Sequence, residues 1–254
     1  MDQHYYKEYY DFEREHWWFT VRANILIDHL QRVTGNRTDL KILNVGAATG
    51  RTSQQLQKLG EVTSLEYDKD CCDFVRDVLN MQIDNGSVLE LPYTDEVYDI
   101  VCAFDVIEHV EDDVLAVAEM RRVCKTGGIL CVTVPAFMFL WSQHDVVNHH
   151  HRRYTAKQVW QLFEAKNDNV FHTYFNFFLF FPIALFRVAS RWLPLQKRTP
   201  NTDEHSDAGS DCNAMNFGVL NTIFGFIFRL EFPLLKRFVK LPVGVSILST
   251  WKKK

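Results

Sequence analysis

Between Asp39 and Pro135 short apolar runs rich in β-formers take turns with helical patterns, and this alternation leaves few folds open. Parallel strands need a crossover between them, so the pattern predicts βαβ units and a sheet covered by helices. Lys41–Val45 reads as the first strand, Thr52–Leu59 as a helix closed by Gly60, and Glu61–Glu66 as the second strand. Asp70 is placed as the N-cap of a helix with Phe74, Val75, Val78 and Leu79 on one face, and Asp84-Asn85-Gly86 as a break. Tyr98–Phe104 and Ile129–Val134 are continuous apolar runs of the kind that a parallel sheet buries on both sides. The helix between them opens at Asp112-Asp113 and ends at Gly127-Gly128.

The flanks differ in character. Residues 1–38 read as a helical cap rich in Tyr and Trp, packed on the sheet, and residues 39–176 as the core. Residues 177–241 form an apolar helical insertion that contains a polar, flexible loop over 196–213, and residues 242–254 supply the last strand and a basic tail. The fold expected is α/β, a Rossmann-like, doubly wound, seven-stranded and mostly parallel sheet with the insertion between its last two strands. Neither apolar segment of the insertion reads as a membrane-spanning helix: Tyr174–Ala189 is too short, and Phe217–Val239 is interrupted by charges. An interfacial hairpin, a lid over a greasy acceptor and packing on the domain or on a second copy all fit the 20 Phe and 6 Trp.

A formal charge of -4 gives no electrostatic reason to expect nucleic acid. The six cysteines include no C-x-x-C pair and read as reduced, mostly buried thiols. No basic stretch followed by an apolar run opens the chain, so a cytoplasmic location is expected, with peripheral contact at the inner membrane suggested by the insertion.

Gly46-Ala47-Ala48-Thr49-Gly50 places small residues where a strand turns into a helix, a bend that lets backbone approach a ligand. Tight strand–helix packing would favour the same residues. Glu66, at the end of the second strand with Tyr67 beside it, tips the balance, because a carboxylate there can accept both hydroxyls of a ribose. His109 follows the fourth strand and His144, His151 and Tyr154 follow the fifth, where a group that removes a proton would stand. Trp141, Asp145, Arg152 and Arg153 are candidate acceptor contacts, the arginines as clamps for a phosphate or carboxylate. The histidine spacing fits no zinc motif, and no metal is expected.

Ile42 to Gly50, Glu66, Asn85-Gly86-Ser87 ahead of Leu91-Pro92-Tyr93, and Phe104 to His109 recur in this order in class I S-adenosylmethionine-dependent methyltransferases, which the chain resembles. Trp17-Trp18-Phe19, Trp141 to Tyr154 and Gly244-Val245-Ser246 resemble a bacterial subgroup. The resemblance implies S-adenosylmethionine as cofactor and S-adenosylhomocysteine as product. It implies that Gly46, Ala47, Ala48 and Gly50 line the methionine and ribose, that Glu66 binds the ribose hydroxyls, that Ser87 and Val88 flank the adenine, and that Asp105 lies beneath the methionine end. The chain departs from the usual pattern at Asn44, Ala48 and Ser87. An enzyme that methylates a small-molecule, lipid-linked or envelope-saccharide acceptor is therefore expected. A cofactor-binding scaffold without catalysis is the reading from another class.

Overall fold

The computed structural model describes residues 3–163, 167–192 and 218–254. Its strands are β1 (Leu40–Val45), β2 (Gly60–Glu66), β3 (Asp84–Asn85), β4 (Tyr98–Phe104), β5 (Cys124–Pro135), β6 (Asn167–Phe175) and β7 (Ser246–Lys253). They form one sheet in the order β3-β2-β1-β4-β5-β7-β6, parallel except for β7, which runs antiparallel to both neighbours. The predicted seven-stranded, mostly parallel sheet is the fold, with the apolar helices between β6 and β7.

Strand periodicity divides the core. Val101 and Ala103 face one cluster with Leu130, Val132 and Trp251, while Ile100, Cys102 and Phe104 face the other with Ile42, Cys131 and Leu248. Helices α5 (Asp113–Val123) and α7 (Ala156–Phe163) cover the first face. Helix α2 (Trp17–Val33) lies on the second through Val21, Ile25, Leu26 and Leu30. The insertion adds α8 (Phe177–Trp192), α9 (Gly218–Arg229) and α10 (Phe232–Lys236).

Local details depart from the sequence reading. Helix α4 (Lys69–Leu79) is capped by Asp68, whose carboxylate accepts the N–H groups of Asp70 and Cys71, so the cap lies two residues earlier than expected. Asp84-Asn85 is a short edge strand as well as a turn, held to β2. Helix α5 ends at Val123, before the glycines, because β5 already begins at Cys124. The basic tail belongs to β7: the Lys253 ammonium is buried against Glu96 and the Cys124 carbonyl, and Lys254 pairs with Asp168. Cys71, Cys72, Cys102, Cys124 and Cys131 are free and buried. The polar loop 196–213 lies outside the described residues.

One carboxylate ties the insertion together. Glu231, fully buried in the turn between α9 and α10, accepts the N–H groups of Asn176 (2.6 Å) and Phe177 (2.7 Å), capping α8 from another segment. By length and composition Gly218–Lys236, with mean hydropathy 1.4, would reach across a bilayer. It is broken at Leu230-Glu231 into α9 and α10.

Candidate active site

Four residues at the sheet's C-terminal edge have strained backbone. Ala48 after β1, Asp105 after β4, Phe137 after β5 and Asn176 after β6 all have positive φ, between 46° and 58°. Such residues persist only where their surroundings hold them, and they gather at ligand sites.

At the end of β1, Gly46 (φ +69°) and Gly50 (φ +82°) occupy conformations that favour glycine, and a Cβ on either would collide with Val106 or Met81. Ala48 N–H, at the crest of the bend, donates to Glu66 Oε2 at 2.9 Å. The other oxygen of Glu66 accepts the N–H groups of Tyr67 (2.8 Å) and Asp68 (3.0 Å), so the carboxylate is fixed in place facing the bend. Asn85 Nδ2 donates to the carbonyls of Glu66 and Tyr67, which brings the β3 turn, with Ser87 and the buried Val88, to the same corner. Ser87 Oγ accepts Leu89 N–H. Beneath the bend, Asn44 Nδ2 and Ser64 Oγ both donate to Ser53 Oγ in a buried network. Asn44 has a structural reason there, since an ionised aspartate has no proton to donate to Ser53.

Two residues of the N-terminal helices reach this edge, and the sequence reading did not assign them. Glu13, on α1 (Gln3–Glu15), is buried and accepts the Thr49 hydroxyl. Burial pushes its carboxyl up to about 7, against the hydrogen bond from Thr49. Arg22 on α2 pairs with Asp105, donates to Thr133 Oγ1 and stacks over the Trp18 and Phe104 rings. The cap therefore contributes charge to the edge as well as packing.

After β4 a single 3₁₀ turn, Ile107–His109, carries Glu108 and His109. After β5 the chain makes α6 (Gln143–Val147) and returns through His149, at φ 54°, so that His150 turns inward. The rings of His109 and His150 meet edge to face at 4.5 Å, and His144 lies 6.0 Å from His150. Although part of His109 is open to solvent, the atoms packed around its ring, and then His150, push its pKa down to about 4. Burial, and then Asp105, push the Glu108 carboxyl well up.

Behind this cluster stands Asp145, fully buried, bonded to His150 Nδ1 (2.8 Å), Arg153 Nε (2.7 Å) and Ser142 N–H (2.8 Å). Burial alone would raise its pKa, but these partners outweigh burial and hold it far down. Arg153 is buried and also donates to the Ala136 carbonyl. Arg152 donates to the Val110 and Glu111 carbonyls and pairs with Asp113. The Tyr154 hydroxyl, buried, donates to Asp113 Oδ2 at 2.8 Å. Asp145, Arg153 and Tyr154 thus turn their polar atoms into the protein, and Arg152 is held on the loop carbonyls while partly exposed. In this arrangement the four frame the loops. Exposed His151 is held through its N–H on the Glu108 carbonyl, and half-buried Trp141 begins the approach to α6. The imidazole that packs against His109 is His150, one position before the residue singled out from the sequence.

Residues 43–132 match a family model described as a methyltransferase domain, and they carry the bend, Glu66 and the β4 loop. Over these residues the chain is similar to the S-adenosylmethionine-dependent methyltransferases, and its sheet has their α/β fold. It is 33% identical over 110 residues to an uncharacterized methyltransferase of Schizosaccharomyces pombe, covering 37% of this chain and 39% of the relative. It is 28% identical over 160 residues to a Mycolicibacterium smegmatis protein described as an S-adenosylmethionine-dependent methyltransferase, covering 61% of each. The chain thus spans only part of the length of these relatives. In fold it is similar to a structure from Galdieria sulphuraria assigned as a sarcosine dimethylglycine methyltransferase, with a TM-score of 0.57 and 14% identity over 92% of this chain and 86% of that one.

Proposed function

We propose that this protein transfers the methyl group of S-adenosylmethionine to an acceptor lodged between the β4 and β5 loops. The observation that carries the reading is the 2.9 Å contact between Ala48 N–H and Glu66, which puts a bend without bulky side chains and a carboxylate at one corner. On this reading Gly46, Ala47, Ala48 and Gly50 admit the ribose and methionine, Glu66 takes the ribose hydroxyls, Tyr67, Ser87 and Val88 flank the adenine, and Asp105 faces the methionine end. His109, with His144, His150 and His151 around it, stands where an acceptor hydroxyl would be deprotonated. Transfer is an in-line displacement, so alignment of the acceptor is the other task of the site. Native mass measurement of the protein as purified, or after addition of S-adenosylhomocysteine, is expected to show one adenosyl ligand per chain. A chain that stays bare at millimolar ligand overturns the reading.

The acceptor class proposed is lipid-linked or an envelope saccharide precursor, taken from the face of the inner membrane. What supports this is the outer surface of the insertion, where Leu185 (72% exposed), Val219 (75%) and Phe226 (64%) face solvent. Among the described residues 177–192 and 218–245 the sole carboxylate is buried Glu231, whereas Arg229, Arg237 and Lys240 are exposed. An apolar face with cations around it suits an anionic bilayer surface. Flotation with phosphatidylglycerol vesicles should carry the protein upward, and Leu185→Asp with Phe226→Asp should abolish this. Wild-type protein that ignores the vesicles contradicts the membrane reading and leaves methyl transfer standing.

A further inference from the structure

The strongest unexplained group in the molecule is Glu108, and the inference drawn from it rests on the methyl-transfer reading and specifies its acceptor side. Glu108 is fully buried, and neither of its carboxylate oxygens has a hydrogen-bond partner. A buried carboxyl left in this state is costly unless something compensates it. The nearby guanidinium groups are committed elsewhere, Arg22 to Asp105 and Arg153 to Asp145. One ligand atom each of Glu108, His109 and His150 lies within 4.8 Å of the other two. Asp145 holds His150 by Nδ1, which leaves Nε2 for the cluster. Histidines that bind metals are commonly oriented by a carboxylate on the far ring nitrogen in this manner.

We propose that Glu108, His109 and His150 bind one divalent cation of borderline softness, of the Zn²⁺ or Co²⁺ kind, and that this ion receives the acceptor's oxygen. Two imidazoles and a carboxylate suit that class, whereas Mg²⁺ and Ca²⁺ prefer shells of oxygen. Three protein ligands leave a coordination position open, as in catalytic zinc sites. An acceptor hydroxyl on the ion becomes more acidic and loses its proton to solvent. Its oxygen then forms the bond to the methyl carbon while the carbon–sulfur bond of the donor breaks, and the sulfur keeps the electron pair. The site escapes sequence motifs because its ligands come from two loops that meet only when β4 and β5 pair.

Full-length protein stripped with a chelator and titrated with Co²⁺, followed by visible absorption, should bind one ion per chain. Glu108→Gln and His150→Ala should each weaken binding at least about tenfold, and Asp145→Asn, which loosens the His150 ring, about 10- to 100-fold. His149→Asn, which removes the exposed neighbouring imidazole and keeps a residue that tolerates the left-handed backbone there, should leave the affinity unchanged. Circular dichroism checks the fold of each variant, and if Asp145→Asn does not fold, Glu108→Gln and His150→Ala carry the test. No spectral change, or affinity unaltered in Glu108→Gln and His150→Ala, overturns the proposal. Calorimetry with S-adenosylhomocysteine on the same chelated protein separates the two readings: cofactor binding without Co²⁺ binding removes the ion alone, and loss of both removes the methyl-transfer reading as well.

Discussion

In the proposed site the atoms at the end of β1 are mostly backbone, exposed by Gly46, Ala48 and Gly50 and faced by one carboxylate from the adjacent strand. After β4 and β5 they are side chains, drawn from two loops and buttressed by a buried Asp145–Arg153 pair. The first half is assembled by neighbours in a βαβ unit and held by backbone contacts. The second is a set of buried charges, each of which depends on its partner, so removing one strands the other.

That contrast is open to attack in several ways. The largest effect is expected from Arg153→Ala, which leaves Asp145 buried without its guanidinium. It should cost about 3–5 kcal/mol in urea unfolding, and a loss under about 1 kcal/mol would mean the pair is not structural. Next comes Glu66→Ala, on the backbone-built side. It should weaken S-adenosylhomocysteine binding by about 1.5–3 kcal/mol, on the order of 10- to 100-fold, while the fold survives. Unchanged affinity would remove Glu66 from the site.

A third test uses pH. Burial raises the carboxyls of Glu231 and Glu13 from 4.5 to about 7, against the hydrogen bonds they accept. A raised acid favours the protonated folded state, so this contribution is complete below pH 4.5 and is lost as pH climbs through about 7. Asp145, with its depressed pKa, acts oppositely and loses its contribution only in strong acid. Stability measured from pH 5 to 8 should therefore fall by about 2–3 kcal/mol for each of these two glutamates, and Glu231→Gln should flatten the slope. An identical slope in the variant would show that Glu231 is not the group titrating. The smallest effect is expected from Tyr154→Phe, which removes the bond to Asp113 and should cost about 1 kcal/mol of stability.

The same contrast explains what could be read from sequence. Strands β1, β2, β4 and β5, the small-residue bend and Glu66 were legible because they lie within one stretch whose periodicity and spacing are local. The insertion was legible as composition. The contacts from α1 and α2 were not, since Glu13 meets Thr49 and Arg22 meets Thr133 only through the packing of the cap on the sheet. Which of three consecutive histidines turns inward depends on the left-handed backbone at His149, and nothing in a run of like residues announces it. Asp145 and Arg153 looked like ligand contacts because charge in a loop suggests exposure, whereas both are buried and paired with each other.

The central claim is that the bend after β1 and the carboxylate ending β2 grip one adenosyl ligand. Titration calorimetry of the intact protein with S-adenosylhomocysteine tests it most directly. One site per chain, competed by S-adenosylmethionine, is the predicted result; the absence of any binding heat at millimolar ligand would contradict it.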